Sequence, residues 1–330
     1  MKSKILMKAE EVCWLMNRFG NEKLPCVWGF DYELKRGFFL GNPDDTSEIL
    51  WEMDGIGNGT RGNDSTHGRS TMKILKAPEF EEYSEAFAVV SGGLRRGDSF
   101  LANLTAPSEV TVDVSLEDIF HNSPARFKFK IGDEFVCFSP EPFVTINGCK
   151  ISAYPMKGTA EGCSRQALRQ LMDDYKERCE HATVVDLLRN DLAMVATGVA
   201  VKRYRYAEVV HTLKGPLLQT SSEITGNLEP GWNAGMGSII MAMLPAGSIC
   251  GAPKQSTVDL IERAETSGRG WYAGVAGYYD GENLKSAVMI RCLQRGADGK
   301  LRFHSGGGIT INSDCKSEYE ELIGKIYLPC

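Results

Sequence analysis

The sequence predicts an α+β fold, because strand-like runs gather into hairpin patterns while the helical segments stand apart from them. Turn residues divide Ala125–Pro155 and Trp271–Gln294 into short apolar runs of strand length. Helical periodicity is confined to separate stretches, so the regular strand–helix alternation of a doubly wound sheet is missing.

Ala9–Arg18 has amphipathic helix spacing that stops at Gly20, read as a C-cap. Cys26–Leu40 reads as two short strands around a polar turn. Gly55–Ser70 is poor in apolar residues and is the best loop or linker candidate. The spacing predicts a helix over Glu79–Gly92 and a strand over Ser99–Ala106. Turns near Gly132, Pro140 and Gly148 make Ala125–Pro155 an antiparallel meander. After Ser164, the residues Leu168, Leu171, Met172, Tyr175 and Cys179 recur at helical spacing and define one buried stripe of a long helix. Val199–Asn227 returns to strands. Trp232–Met243 and Pro253–Ala264 read as helices, with Pro253 tolerated in a first turn. Trp271–Gln294 is a hairpin pattern around Asp280-Gly281, and Leu301–Ile311 is a strand region followed by a C-terminal helix. No fixed-period repeat is visible.

Composition narrows the function. Apolar residues make up 42% and charged residues 24%, enough for a substantial core and unlike a disordered chain. The net charge is −6 and no basic cluster tracks phosphates, so nucleic acid is not an expected partner. A small anionic substrate stays compatible with a locally positive pocket. Ten cysteines are scattered without a CxxC pair and five histidines stand far apart, which excludes a zinc motif and suggests reduced thiols in the cytoplasm. No apolar run approaches a membrane span or a signal peptide, so no membrane partner is expected.

On the C-terminal helix, Tyr319, Leu322, Ile323 and Ile326 form an apolar stripe, and Glu318, Glu321 and Lys325 form another beside it. Two carboxylates one turn apart suit a hard cation such as Mg²⁺, with the lysine placed to meet an anion. The same spacing also describes a solvated, ion-paired face. Gly306, Gly307 and Gly308 permit close backbone approach, and their N–H groups suit a carboxylate, or they form a flexible turn. Lys157 follows a strand among turn residues. An ordinary lysine with a pKa of ~10.4 is almost wholly protonated at neutral pH, so a nucleophilic role requires burial or a neighbouring cation. Glu141 reads as a turn carboxylate and Glu180 as part of an ion-paired helix end.

The motifs gain meaning as a series. In order the chain carries NLT at 103–105, SPEPF at 139–143, PMKGT at 155–159 and EHATVVDLLRNDL at 180–192. There follow VVHTLKGPL at 209–217, PAGSICGAPK at 245–254, RGWYAGVAGY at 269–278, MIRCLQ at 289–294, and SGGGITINSD with EYEELIGK within 305–325. The series resembles the chorismate-utilising family of anthranilate, aminodeoxychorismate, isochorismate and salicylate synthases. The resemblance implies two large packed antiparallel sheets with outer helices, forming one catalytic domain over 1–330. Within it, 76–330 is the family-matching core and 1–75 a shortened N-terminal part. The LLES segment of the family's tryptophan site is missing, so no tryptophan feedback is expected.

The resemblance also implies roles. Glu180 and Glu321 would be Mg²⁺ ligands, with Glu318 adding a direct or water-mediated contact. Tyr272 and Arg291 would hold the enolpyruvyl carboxylate of chorismate with the N–H groups of Gly306–Gly308, and Lys325 would lie near the metal-bound carboxylate. Glu141 matches the general acid and His211 the active-site histidine, while Thr159 and Ser248 fall in substrate-binding motifs. Lys157 occupies the slot in which the aminodeoxychorismate branch carries a nucleophilic lysine and anthranilate synthases an alanine. Leu101 stands where isochorismate and salicylate synthases place a water-activating lysine. The expectation is therefore amination through a covalent lysine adduct, with ammonia drawn from a separate glutamine amidotransferase subunit. Anthranilate synthase, the isochorismate-type enzymes and a silent binding relative are the alternatives.

Overall fold

The computed structural model describes residues 5–59, 70–212 and 215–328; the side chains of Lys176 and of residues 210–215 lie outside that description. Among the described residues the strands form two sheets. Ten strands make the first, in the order Leu6–Lys8, Arg36–Leu40, Cys26–Phe30, Val275–Tyr279, Leu284–Val288, Pro142–Asn147, Lys150–Ala153, Gly215–Asn227 and Met156–Glu161. Thr197–Thr212 completes it by pairing with Gly215–Asn227. Nine strands make the second: Gly251–Ala252, Leu101–Val112, Leu301–Ile309, Cys292–Arg295, Phe135–Ser139, Phe127–Ile131, Ile49–Met53 and Ile56–Gly57, with Met72–Lys76 also on Leu101–Val112. Every recorded pairing is antiparallel. Residues before position 60 enter both sheets.

Cys26–Phe30 and Phe135–Ser139 are buried at every position. An unbroken apolar run of this length suits a strand covered on both faces. Alternation decides which layer each side chain joins. Phe135 and Cys137 belong to the main core with Trp28, Phe38 and Trp271, whereas Val136 and Phe138 pack with Leu116, Ile119 and Phe120 of the helix Leu116–Asn122. The helices Phe80–Arg96, Lys254–Ala264 and Cys315–Gly324 supply Val90, Leu260 and Leu322 to a third cluster against Leu104. Among the described residues no helix is long and apolar enough to cross a membrane.

Four local expectations change. Gly20 is not a cap but lies within the helix Ala9–Asn21, whose C-cap is Glu22. A Cβ at Gly20 would stand 1.8 Å from Asn233 O, so the absence of a side chain permits direct helix-to-backbone contact. The helix begun near Ser164 is two helices, Arg165–Asp173 and Tyr175–Ala193. Asp174 between them is extended, and its carboxylate accepts the Glu177 N–H to cap the second. The break restarts the helical phase: Leu171 is buried but Tyr175 and Cys179 are exposed. The third change extends the helix predicted to end at Gly92 as far as Arg96, with Gly97 capping it at φ 83°. Gly55–Ser70 is described only at its ends, where Ile56–Gly57 pairs with Glu52 and Met53; residues 60–69 lie outside the described set.

The fourth change positions the site. Ala125–Pro155 is not a single meander, because its first two strands belong to the second sheet and its last two to the first. The chain changes sheet at Pro140-Glu141, and again between Val288 and Cys292, where Arg291 sits at φ 55°. The two crossings are bonded side by side, Val288 N–H donating to Glu141 O (3.1 Å) and Phe138 N–H to Arg291 O (3.0 Å).

Candidate active site

A cavity of about 410 Å³ opens where these crossings meet the strand Leu301–Ile309 and the helices Tyr175–Ala193 and Cys315–Gly324. Its size suits a small molecule. Lys157, Thr159, Glu141, Ser248, Glu180 and Tyr272 line it, as do Arg291, Gly306–Gly308, Glu318, Glu321 and Lys325. Residues separated by as many as 222 positions are thus brought together, at Asn103 and Lys325. Of the sequence-predicted site residues, His211 alone is unplaced: its backbone pairs with Pro216 in the hairpin, and its side chain lies outside the described residues.

Lys157 is aimed by a break in the sheet. The register between Met156–Glu161 and Gly215–Asn227 shifts between Met156 and Thr159, and Gly158 takes φ 86°. An L-residue rarely adopts that conformation, so glycine is the natural occupant of such a bulge. The Lys157 carbonyl accepts a hydrogen bond from Thr220 Oγ1. Its ammonium reaches across to the glycine strand, where a Cβ at Gly308 would be 3.7 Å from Lys157 Nζ.

That glycine strand keeps one neighbour and loses the other. Gly306, Gly307 and Gly308 oppose Thr105, Leu104 and Asn103, but on the other side the pairing of Cys292–Arg295 with this strand covers Leu301–Phe303 and does not reach the glycines. Along the edge beyond Phe303, Gly306 O accepts from Lys325 Nζ at 2.7 Å. A Cβ at Gly307 would lie 3.3 Å from Glu318 Oε2 and 3.5 Å from Glu321 Oε1, so the missing side chain lets the helix carboxylates approach the strand. Lys325 also pairs with Glu321 at 2.6 Å. Asp314 caps that helix through the Ser317 N–H and holds its first turn in place. Arg291 Nη1 donates to Lys325 O at 2.7 Å and its guanidinium lies over the Tyr327 ring. The same arginine therefore lines the cavity and fastens the end of the carboxylate-bearing helix.

Among the lining carboxylates, Glu141 has a raised pKa. Burial pushes its pKa up, opposed by the Ser248 hydroxyl, which donates to Oε1 at 2.8 Å, and by the charges of Lys157 and Lys325. Ser248 lies in the turn Gly247–Ile249, whose Gly247 N–H donates to Asp191 Oδ2. Asp191 is in turn paired with Lys254 at 2.7 Å. Burial pushes the Tyr272 phenol up as well, so it stays a neutral donor.

The cavity also contains residues to which the sequence reading gave no role. Glu177 stands one turn before Glu180 on the same helix, and the i,i+3 spacing was a usable signal. Asn103 lies within NLT, and His304 and Ser305 directly precede the glycines. A lone polar residue inside a strand carries no local mark of its facing a cavity. Leu101 is not on the lining but is buried behind it, its Cδ1 3.1 Å from where a Gly308 Cβ would be. Cys250 is buried, and its thiol is pushed up to about 11 by that burial.

Residues 41–329 match the family described as chorismate binding enzyme. An uncharacterized PabA-like protein of Haemophilus influenzae is 43% identical over 95% of this chain and 94% of its own length. Anthranilate synthase component 1 of Archaeoglobus fulgidus and aminodeoxychorismate synthase component 1 of Bacillus subtilis are each 30% identical over 78% of this chain, which spans 64% and 57% of their lengths. Among solved structures, the menaquinone-specific isochorismate synthase of Escherichia coli shares the fold with a TM-score of 0.73, at 17% identity, over 98% of this chain and 82% of that one.

Proposed function

This chain belongs to the chorismate-binding enzyme family, and we propose that within it the chain is an aminodeoxychorismate synthase component I, forming 4-amino-4-deoxychorismate from chorismate and ammonia. The coarser statement needs no proposal: it is a chorismate-utilising enzyme of the anthranilate and aminodeoxychorismate synthase component I type. The finer reading is carried by Lys157, whose ammonium lies beside Gly308 in one cavity with the burial-raised carboxyl of Glu141.

In the proposed reaction the neutral Lys157 amine bonds to C2 of chorismate, the ring double bonds shift, and the C4–O bond breaks. Glu141 gives its proton to the departing hydroxyl, which leaves as water. Ammonia then bonds to C4, the double bonds shift back, and the C2–Nζ bond breaks to free the lysine. The proton lost by the incoming nitrogen restores Glu141, so the sum is chorismate plus ammonia giving product plus water. Tyr272 and Arg291 hold the enolpyruvyl carboxylate, a geometry suited to a guanidinium fork. His211 is carried over as the remaining catalytic residue.

For Mg²⁺, the donor type fits. Among the described residues no three His, Cys, Asp or Glu side chains stand close enough to hold an ion by themselves. Glu180, Glu318 and Glu321 nonetheless present hard oxygens to one cavity from two helices. Mg²⁺ is commonly bound through one or two carboxylates, with water and substrate oxygens completing its shell. Those three residues would hold it, and the bound ion would neutralise and orient a substrate carboxylate. The ammonia is proposed to come from a separate glutamine amidotransferase subunit.

The test is incubation of the chain with chorismate, Mg²⁺ and an ammonium salt, with and without an aminodeoxychorismate lyase, and product identification by mass. 4-Aminobenzoate appearing only with the lyase supports the reading. Anthranilate and pyruvate formed without it would replace this reading with anthranilate synthase.

A further inference from the structure

Three buried polar atoms, on residues that line the cavity, have no hydrogen-bond partner among the described residues: Asn103 Oδ1, His304 Nδ1 and Ser305 Oγ. A buried polar group without a partner is costly, so such a cluster beside a cavity points to a ligand that supplies the missing bonds. His304 is the most informative of the three because its proton can be located.

Gln294 fixes it. The Trp271 N–H donates to Gln294 Oε1 at 3.1 Å, which identifies the oxygen of that amide. The amide nitrogen then donates on both sides, to Arg269 O at 2.9 Å and to His304 Nε2 at 2.7 Å. His304 Nε2 is therefore the acceptor, and in the neutral ring the proton is on Nδ1. The ring is held in place from its other side as well, stacked on Tyr272 with centroids 5.4 Å apart. It is 3% exposed, so bulk water does not satisfy the donor. Burial, with the charges of Arg269 and Arg302, lowers its pKa to about 3 and keeps the imidazole neutral.

We propose that His304 is a specificity-determining residue of this site, donating its Nδ1–H to an anionic oxygen of the bound substrate beside Tyr272. The reasoning rests on the reading of the cavity as the chorismate site. Chorismate carries two carboxylates, and an oriented neutral donor discriminates for such an oxygen without adding charge. Arg291 and Lys325 already supply positive charge to the cavity. Its role is in binding and orientation rather than proton transfer, since a ring so reluctant to protonate is a poor base.

Two replacements separate the nitrogens. His304→Asn places an amide N–H near the Nδ1 position, whereas His304→Gln reaches toward Gln294 and loses that donor. Chorismate affinity would be measured by calorimetry, together with KM, kcat and melting temperature. The expected result is a loss of tenfold or more in affinity and a matching rise in KM for His304→Gln, with kcat within about threefold. His304→Asn should stay within about threefold of wild type. His304→Leu, matching neither nitrogen, tests the same loss should the Gln variant not fold. Wild-type affinity in a folded Gln or Leu variant overturns the inference, as does equal weakening in the Asn and Gln variants, which would reveal a packing role on Tyr272. If the wild-type chain does not bind chorismate at all, the reading of the site fails and takes this inference with it.

Discussion

Ser248 Oγ stands 2.8 Å from Glu141 Oε1, joining the turn after Pro245 to the point where the chain passes from one sheet to the other. The bond opposes the effect of burial on the Glu141 carboxyl, because a donor favours the charged form. A general acid must be protonated, so activity falls as pH rises through its pKa. Ser248→Ala removes the opposing bond and should move the alkaline limb of kcat to higher pH. Glu141→Gln should lower kcat by roughly 10²–10⁴-fold and abolish that limb. A limb unmoved in Ser248→Ala would take the role away from Glu141.

Lys157→Ala should eliminate 4-aminobenzoate formation while leaving chorismate affinity within a few fold. Rapid quenching of the wild type in the absence of ammonia should trap a lysine adduct visible in the intact mass and mapped to the peptide containing Lys157. Undiminished product formation by the alanine variant would remove the covalent step.

Glu180→Gln and Glu318→Gln should each raise the Mg²⁺ concentration for half-maximal activity at least tenfold. The Glu318 change matters because its carboxylate is buried at 6% exposure beside Gly307. Direct magnesium titration followed by calorimetry checks the shift without relying on turnover. Unchanged titrations would exclude these ligands.

Gly20→Ala isolates one packing contact. Alanine would gain about 1 kcal/mol of helix propensity over glycine. Against that, its Cβ would meet Asn233 O at 1.8 Å, and displaced packing costs about 1–3 kcal/mol, with backbone the least able to yield. The clash should win, and denaturant midpoints should fall. A stabilised variant would show that helix Ala9–Asn21 and turn Trp232–Gly235 can separate without loss.

His304 should also make the fold acid-sensitive. Its pKa is about 3 folded against an ordinary 6.5, so the unfolded chain binds the proton first as pH falls. Its contribution is complete above 6.5 and is lost progressively toward pH 3, at ~1.4 kcal/mol per pH unit at the steepest. Stability curves of wild type and His304→Asn should therefore converge as the pH is lowered from 6.5 toward 3. Parallel curves through that window would mean that the histidine is not held neutral.

Much of this was written in the residues themselves. Hairpin punctuation identified the strand pairs, the i,i+3 and i,i+4 spacing of Glu318, Glu321 and Lys325 marked a face that does line the cavity, and the motif series identified the family. These features are local, or depend on the order of short segments, and a linear chain records both. What the tertiary structure decided was nonlocal. Pro140-Glu141 could not reveal by itself that it leaves one sheet for another, because a turn within a sheet and a crossing between sheets use the same residues. Gly20 resembled a helix cap until Asn233, 213 positions away, was brought against it. His304 looked like any strand residue, since the partner that orients its proton and the cavity that lacks one exist only when Gln294, Tyr272 and the glycine strand are packed together.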